Sequence, residues 1–202
     1  MLSPSLICLD MCNLESEVQR LESSGSSMLH IDILDGYFSP SMPLGLETVR
    51  QLRFKTKLEF DCHVMANKPE YFVKELLDIG VQQLTFHIET CDHVDGMLNL
   101  IRSKNVKAGV ALKPATPLNV LEYVIDKCDV VLLMLINPGY ASSKSEEQVS
   151  YAEQKIKDLR ELISSRQLET KIEVDGRVTN ENVCRWKDMV DIFVTGSSYK
   201  EA

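Results

Sequence analysis

One alternation runs from end to end of this chain and constrains it more than anything else. Short apolar, β-branched runs are separated by segments with helical periodicity. Eight runs have strand character, at residues 2–7, 28–33, 57–63, 82–87, 107–112, 130–135, 171–174 and 191–194. Seven helical patterns lie between them. Leu14, Val18 and Leu21 share one helix face, as do Phe72, Leu76 and Ile79, and Val149, Ala152, Ile156, Leu159 and Ile163 continue the same period through four turns. Several stops and starts are readable. Gly25 closes the first helix, Asn67 caps a helix that has Pro69 in its first turn and Gly80 beyond its end, and Thr116 precedes Pro117 in the same way. Strand–helix alternation demands a parallel sheet. An open doubly wound sheet usually has five or six strands and a glycine-rich first turn. Here the first turn is Cys8-Leu9-Asp10-Met11, so the expectation is an α/β fold, a closed (β/α)8 TIM barrel.

No linker, repeat or low-complexity segment interrupts the pattern, so residues 1–202 are expected to form a single barrel domain. The chain given stops at Ala202, eight residues after the last strand, so the eighth helix is expected to be missing or truncated. With 30 acidic and 22 basic side chains, the net charge is −8. That balance argues against a nucleic-acid or anionic-membrane surface. No apolar run is long enough for a transmembrane helix, and the first basic residue is Arg20, which leaves no signal-peptide charge at the start. The six cysteines form no CxxC pair and read as reduced thiols of a cytoplasmic protein.

Polar residues at strand ends carry the functional argument, because barrel active sites lie at the C-terminal ends of the strands. His30 and Asp32 are two apart on strand two and share a face; Asp61 and His63 repeat this on strand three. Strand four ends in His87, and strand seven ends Glu173-Val174-Asp175. A single such residue is commonly structural, satisfied by backbone. Several converging carboxylates need a cation or a proton, and no Lys or Arg occupies a matching position before Arg177. Two imidazoles with two carboxylates suit one divalent ion: Zn2+, Fe2+, Mn2+ or Co2+.

Six segments carry a resemblance: Ser3-Pro4-Ser5-Leu6, His30-Ile31-Asp32-Ile33-Leu34-Asp35-Gly36, Asp61-Cys62-His63-Val64-Met65, the stretch 109–117, Asn137-Pro138-Gly139-Tyr140 and Glu173-Val174-Asp175-Gly176. In order and spacing they resemble the ribulose-phosphate 3-epimerase family, over nearly the whole chain up to Gly196-Ser197-Ser198. Ser5-Leu6-Ile7-Cys8-Leu9-Asp10, with Asp61-Cys62-His63, also resembles the allulose-6-phosphate 3-epimerase branch. The resemblance implies His30, Asp32, His63 and Asp175 as metal ligands. It further implies Asp32 and Asp175 as the catalytic pair, one removing the C3 proton of a ketose phosphate and the other returning a proton to the opposite face. Substrate contacts follow at Ser5, His63, Met65, Met134, Gly139, Gly176, Gly196 and Ser197, with Leu34 where the family usually has Met.

The phosphate side departs from the family. Gly139-Tyr140-Ala141-Ser142-Ser143 replaces a glycine-rich loop, Asp175-Gly176-Arg177 replaces Asp-Gly-Gly, and the loop 35–41 is also changed. Fewer glycines mean fewer close backbone N–H contacts to an anion. Arg177 either replaces them, together with a helix starting at Thr179–Asn182, or points to solvent. The implied function is a metal-dependent 3-epimerase of the pentose phosphate pathway acting on D-ribulose 5-phosphate/D-xylulose 5-phosphate. The alternatives are allulose 6-phosphate as substrate, or a non-catalytic metal-binding paralogue with a degraded phosphate site. The expected partner is a small sugar phosphate, and the resemblance implies a homo-oligomer.

Overall fold

The computed structural model describes residues 1–139, 143 and 145–196. Eight parallel strands form one sheet: β1 Leu2–Pro4, β2 Met28–Leu34, β3 Glu59–Met65, β4 Gln83–His87, β5 Lys107–Leu112, β6 Val130–Met134, β7 Lys171–Asp175 and β8 Ile192–Thr195. The order is β1-β8-β7-β6-β5-β4-β3-β2. A single bridge between Ser5 and His30 joins the two ends of that order and closes the barrel.

Among the described residues, six α-helices cover the outside: α1 Leu14–Ser23, α2 Leu46–Arg53, α3 Glu70–Ile79, α4 Val94–Ser103, α5 Ala152–Ser165 and α6 Asn180–Trp186. Outward strand residues such as Ile31, Cys62, Phe86, Val110 and Val174 pack with helix residues such as Val18, Val49, Leu76 and Leu159 in one fully buried layer. Alternate residues point into the barrel. The inside holds a small apolar group, Ala111, Leu132 and Met134, and a larger buried polar set that includes His30, Asp61, His63, Gln83 and Glu173.

Two helix expectations need correction. Between β5 and β6 the chain makes two 3-10 turns, Leu118–Leu121 and Ile125–Lys127, instead of an α-helix. Leu121 and Ile125 are still buried, so the periodic pattern did mark the packed face. Branched Val120, Val124 and Ile125 lower the helix propensity of so short a segment. Asn67 is not a helix cap: α3 begins after Pro69, and the Asn67 backbone N–H donates to Asp35 Oδ2 at 2.8 Å. Gly25 and Gly80 do follow α1 and α3 with positive φ. The expected state of the eighth helix, like Ser197, falls outside the described residues.

None of the six cysteines is in a disulfide. Cys62, Cys91 and Cys128 are buried, whereas Cys8, Cys12 and Cys184 are exposed. No helix among the described residues is long and apolar enough to cross a membrane.

Candidate active site and metal centre

Register builds the site. β2 and β3 pair with His30 beside Asp61 and Asp32 beside His63, so four polar side chains enter the barrel in two layers. β7 adds Glu173 to the lower layer and Asp175 to the upper, beside Met134 of β6. One ligand atom from each of His30, Asp32, His63 and Asp175 lies within 4.8 Å of the other three. These four are among the polar strand-end residues and are the ones the resemblance implies as ligands.

The side chains are held from below and from the sides. Asp61 accepts hydrogen bonds from Ser3 Oγ at 3.0 Å and Gln83 Nε2 at 2.8 Å. His30 Nδ1 lies 2.7 Å from the same carboxylate. Burial alone would raise the Asp61 carboxyl, but His30 outweighs it and holds the group at about 2. An ionised carboxylate only accepts, so His30 carries a proton on Nδ1, and Nε2 is the nitrogen it turns inward. That Nε2 is buried without a hydrogen-bond partner among the described residues, 3.2 Å from Asp32 Oδ1. An imidazole nitrogen without a hydrogen-bond partner, facing carboxylates and oriented by a carboxylate behind it, suits a divalent ion. The residues present fit such an ion, and its identity is open among those that accept nitrogen and oxygen donors.

The two carboxylates of the centre differ electrostatically. Burial opposes charge on Asp32, yet His30 and His63 overcome it and hold that carboxyl well below its usual range. Ser5 Oγ donates to Asp32 at 3.2 Å. Asp175 is shifted the other way, up to about 6, by burial first and then by the Asp32 charge. Two acids pushed apart in this way are suited to opposite ends of one proton transfer.

Above the cluster opens a cavity of about 370 Å3, a volume suited to a small ligand. Asp32 and Asp175 reach it, and Ser5, Leu34, Met65, Met134, Gly139, Gly176, Arg177 and Gly196 are all on its wall. His63 is not on the wall; its ring is completely buried, so a direct substrate contact has no support from the cavity geometry. Arg177 adopts a left-handed backbone with φ 53, and its Nη2 donates to Ser143 O. The start of α6 is capped within itself, because Thr179 Oγ1 accepts from Asn182 N. That N–H is therefore committed and is not available to an anion. A wider groove of about 730 Å3 lies outside the barrel between Pro114–Asn119 and α5, and it contains none of the converging ligands.

Gln83 and Glu89 escaped the sequence reading, and Glu173 was read there only as a strand-end residue. Glu173 and Gln83 sit under the centre, bonded to each other at 2.9 Å. Glu89 follows His87 by two residues and bonds its Nδ1 at 3.0 Å. Only the strand alternation could have placed Gln83 and Glu173 inside; nothing local distinguishes Glu89 from an exposed loop acid.

Fold and site together define a (β/α)8 barrel with a buried two-His, two-Asp centre at the C-terminal mouth of its strands. A profile of the ribulose-phosphate 3 epimerase family matches residues 1–199. The chain is 33% identical to the ribulose-phosphate 3-epimerase of Treponema pallidum (strain Nichols) over 98% of its own length and 90% of the relative's. It is 36% identical to the Bacillus subtilis (strain 168) enzyme, covering 89% of this chain and 82% of that one. In fold it is similar to the tryptophan synthase α subunit from Campylobacter jejuni, with a TM-score of 0.65 at 19% identity, covering 98% and 86% of the two chains. The chain belongs to the ribulose-phosphate 3-epimerase family and is an isomerase, an epimerase acting on carbohydrate.

Proposed function

We propose that this epimerase inverts carbon 3 of a ketose phosphate, with D-ribulose 5-phosphate and D-xylulose 5-phosphate as the interconverted pair. The observation that carries the reading is the pair of carboxylates, Asp32 and Asp175, converging with His30 and His63 under one cavity. Inversion needs a proton carrier on each side of the reacting carbon. Asp32 comes from β2 and Asp175 from β7, strands separated by β1 and β8. In one direction the Asp32 carboxylate takes the C3 proton, and Asp175, which holds a proton more readily, delivers one to the other face. The reverse reaction exchanges the roles. His30, Asp32, His63 and Asp175 would hold a divalent ion, which when bound supplies positive charge to the substrate oxygens where negative charge develops. Met65, Met134 and Leu34 keep water from the carbanionic carbon.

At the other end of the cavity we place the phosphate near Gly176, Arg177 and Gly196, with the Arg177 guanidinium as its cation. A second reading, a hexulose phosphate such as allulose 6-phosphate, rests on the segment Ser5-Leu6-Ile7-Cys8-Leu9-Asp10 together with Asp61-Cys62-His63. The test is an epimerase assay on both phosphates with Zn2+, Fe2+, Mn2+ or Co2+ added in turn. Turnover of the pentulose phosphate supports the first reading, and turnover of the hexulose phosphate alone supports the second. Failure with both under every metal would make the chain a non-catalytic paralogue.

A further inference from the structure

Strand β4 delivers His87 to the back of the centre, where it touches the centre only through His63. His63 Nε2 and His87 Nε2 are 3.0 Å apart. His87 Nδ1 lies 3.0 Å from Glu89 Oε2. The other carboxylate oxygen, Oε1, accepts from the Lys113 backbone N–H at 2.7 Å and from the Thr116 hydroxyl. Phe38 stacks against the His87 ring at 4.6 Å between centroids, and Lys113 Nζ sits 4.4 Å from the Phe38 ring centre. Asp35 fixes that Phe38 turn by accepting the Tyr37 and Phe38 N–H groups.

We infer that His87 and Glu89 are positioning residues that set which nitrogen of His63 faces the centre. This rests on the reading of His63 as a ligand. Donor rules fix the direction of the chain. A backbone N–H can only donate, so Glu89 is an acceptor toward Lys113; hydrogen bonds from His87, Thr116 and Lys113 outweigh burial and keep the carboxyl ionised, at about 2, so its second oxygen accepts from His87. A neutral His87 has one N–H; Glu89 holds it at Nδ1, which leaves a lone pair on Nε2. His63 must then donate from its own Nε2. When His63 holds an ion, the lone pair that faces His30, Asp32 and Asp175 is therefore on Nδ1, the nitrogen 3.2 Å from Asp32 Oδ1. An imidazole whose outer nitrogen is held in this way is fixed in both tautomer and ring orientation. The segment Lys113–Thr116 thereby acts on the centre through Glu89 and two imidazoles, without touching a ligand.

Glu89→Gln tests the direction of this chain. The Lys113 N–H holds the amide oxygen, so the amide nitrogen must face His87 Nδ1. His87 can then satisfy that donor only by moving its own proton to Nε2. Two N–H groups would now face each other across the His63–His87 contact whenever His63 Nδ1 is a ligand. Two quantities are measured: the His87 tautomer by nitrogen-15 NMR, and the Zn2+ dissociation constant by chelator competition. The wild type should show His87 protonated on Nδ1 and bare on Nε2. Glu89→Gln should reverse this and weaken Zn2+ binding roughly 10–100-fold. A wild-type His87 protonated on Nε2 overturns the inference, and so does a reversed tautomer with Zn2+ affinity unchanged. An affinity loss without the reversal also overturns it, because Glu89 would then be merely structural. If the variant does not fold, the wild-type tautomer decides alone. A wild type that binds no Zn2+ contradicts the ligand reading of His63, while the tautomer still judges the relay.

Discussion

Asp61 Oδ2 sits 2.7 Å from His30 Nδ1, and this one contact decides which nitrogen of His30 turns toward Asp32, His63 and Asp175. Both residues are fully buried, and they are direct neighbours in the β2–β3 register. Asp61 is not itself one of the four converging groups; it aims one of them. Asp61→Asn replaces one acceptor oxygen with a donor nitrogen, although Asp61 receives hydrogen bonds on both. Divalent-metal affinity should fall roughly 10–100-fold, as for other oriented imidazole ligands. Chelator competition measures it, and wild-type affinity in the variant would remove Asp61 from this role.

Asp175 gives the metal-free protein a distinctive pH dependence. Its carboxyl sits at about 6 in the fold against an ordinary 3.8, raised by burial and the Asp32 charge. Between those values the folded chain binds more protons than the unfolded one, so this contribution to stability is lost as pH rises through the window. Asp175→Asn, in the presence of chelator, should be the more stable protein at pH 7.5, by up to about 3 kcal/mol. Urea denaturation should show the advantage fading toward pH 4. A variant less stable than wild type at pH 7.5 contradicts the assignment.

Gly176 and Gly196 share the cavity wall but should respond differently to alanine. Gly176 has φ 118, and an added Cβ would lie 2.9 Å from the Ile136 backbone nitrogen. Gly176→Ala should therefore cost about 1–3 kcal/mol of stability as well as raise KM. At Gly196 the nearest atom to an added Cβ is the Cys8 Sγ at 2.8 Å, a side chain that can turn away. Gly196→Ala should mainly raise KM. Melting temperatures and KM values for the two variants, compared side by side, check the contrast.

Arg177 is the cation we assign to the phosphate. A charge-assisted contact shielded from water is worth about 1.5–3 kcal/mol, or roughly 10–150-fold in affinity. Arg177→Ala should weaken the phosphorylated ketose by that factor and leave the unphosphorylated sugar unaffected. Equal effects on both, or none, would return Arg177 to its contact with Ser143 O as its whole role.

The alternation of strands and helices was legible because barrel strands are continuous apolar runs, and the observed strands begin and end within a few residues of the expected ones. His30 and Asp32, spaced by two, had to share a face in any strand, so their convergence with His63 and Asp175 could be read before the structure. The β5–β6 connection could not, because Leu121 and Ile125 are buried in 3-10 turns as they would be in an α-helix. Asn67 misled for a related reason: asparagine before proline fits a cap, but its backbone N–H was taken by Asp35, thirty-two residues earlier. The supporting roles were not legible, because Glu89 and the strand-end acids Asp61 and Glu173 gain them from partners on other strands and loops.

The central claim is that Asp32 and Asp175 move the C3 proton of a ketose phosphate. It is tested most directly by proton–deuterium exchange at C3 in heavy water, with metal-loaded wild type, Asp32→Asn and Asp175→Asn, followed by NMR of the sugar phosphate. The account predicts that the wild type incorporates deuterium at C3 of D-ribulose 5-phosphate, while each variant turns over ~10^3-fold more slowly or worse. A metal-replete wild type that never exchanges C3 hydrogen with either sugar phosphate, or an Asn variant that turns over near the wild-type rate, would contradict it.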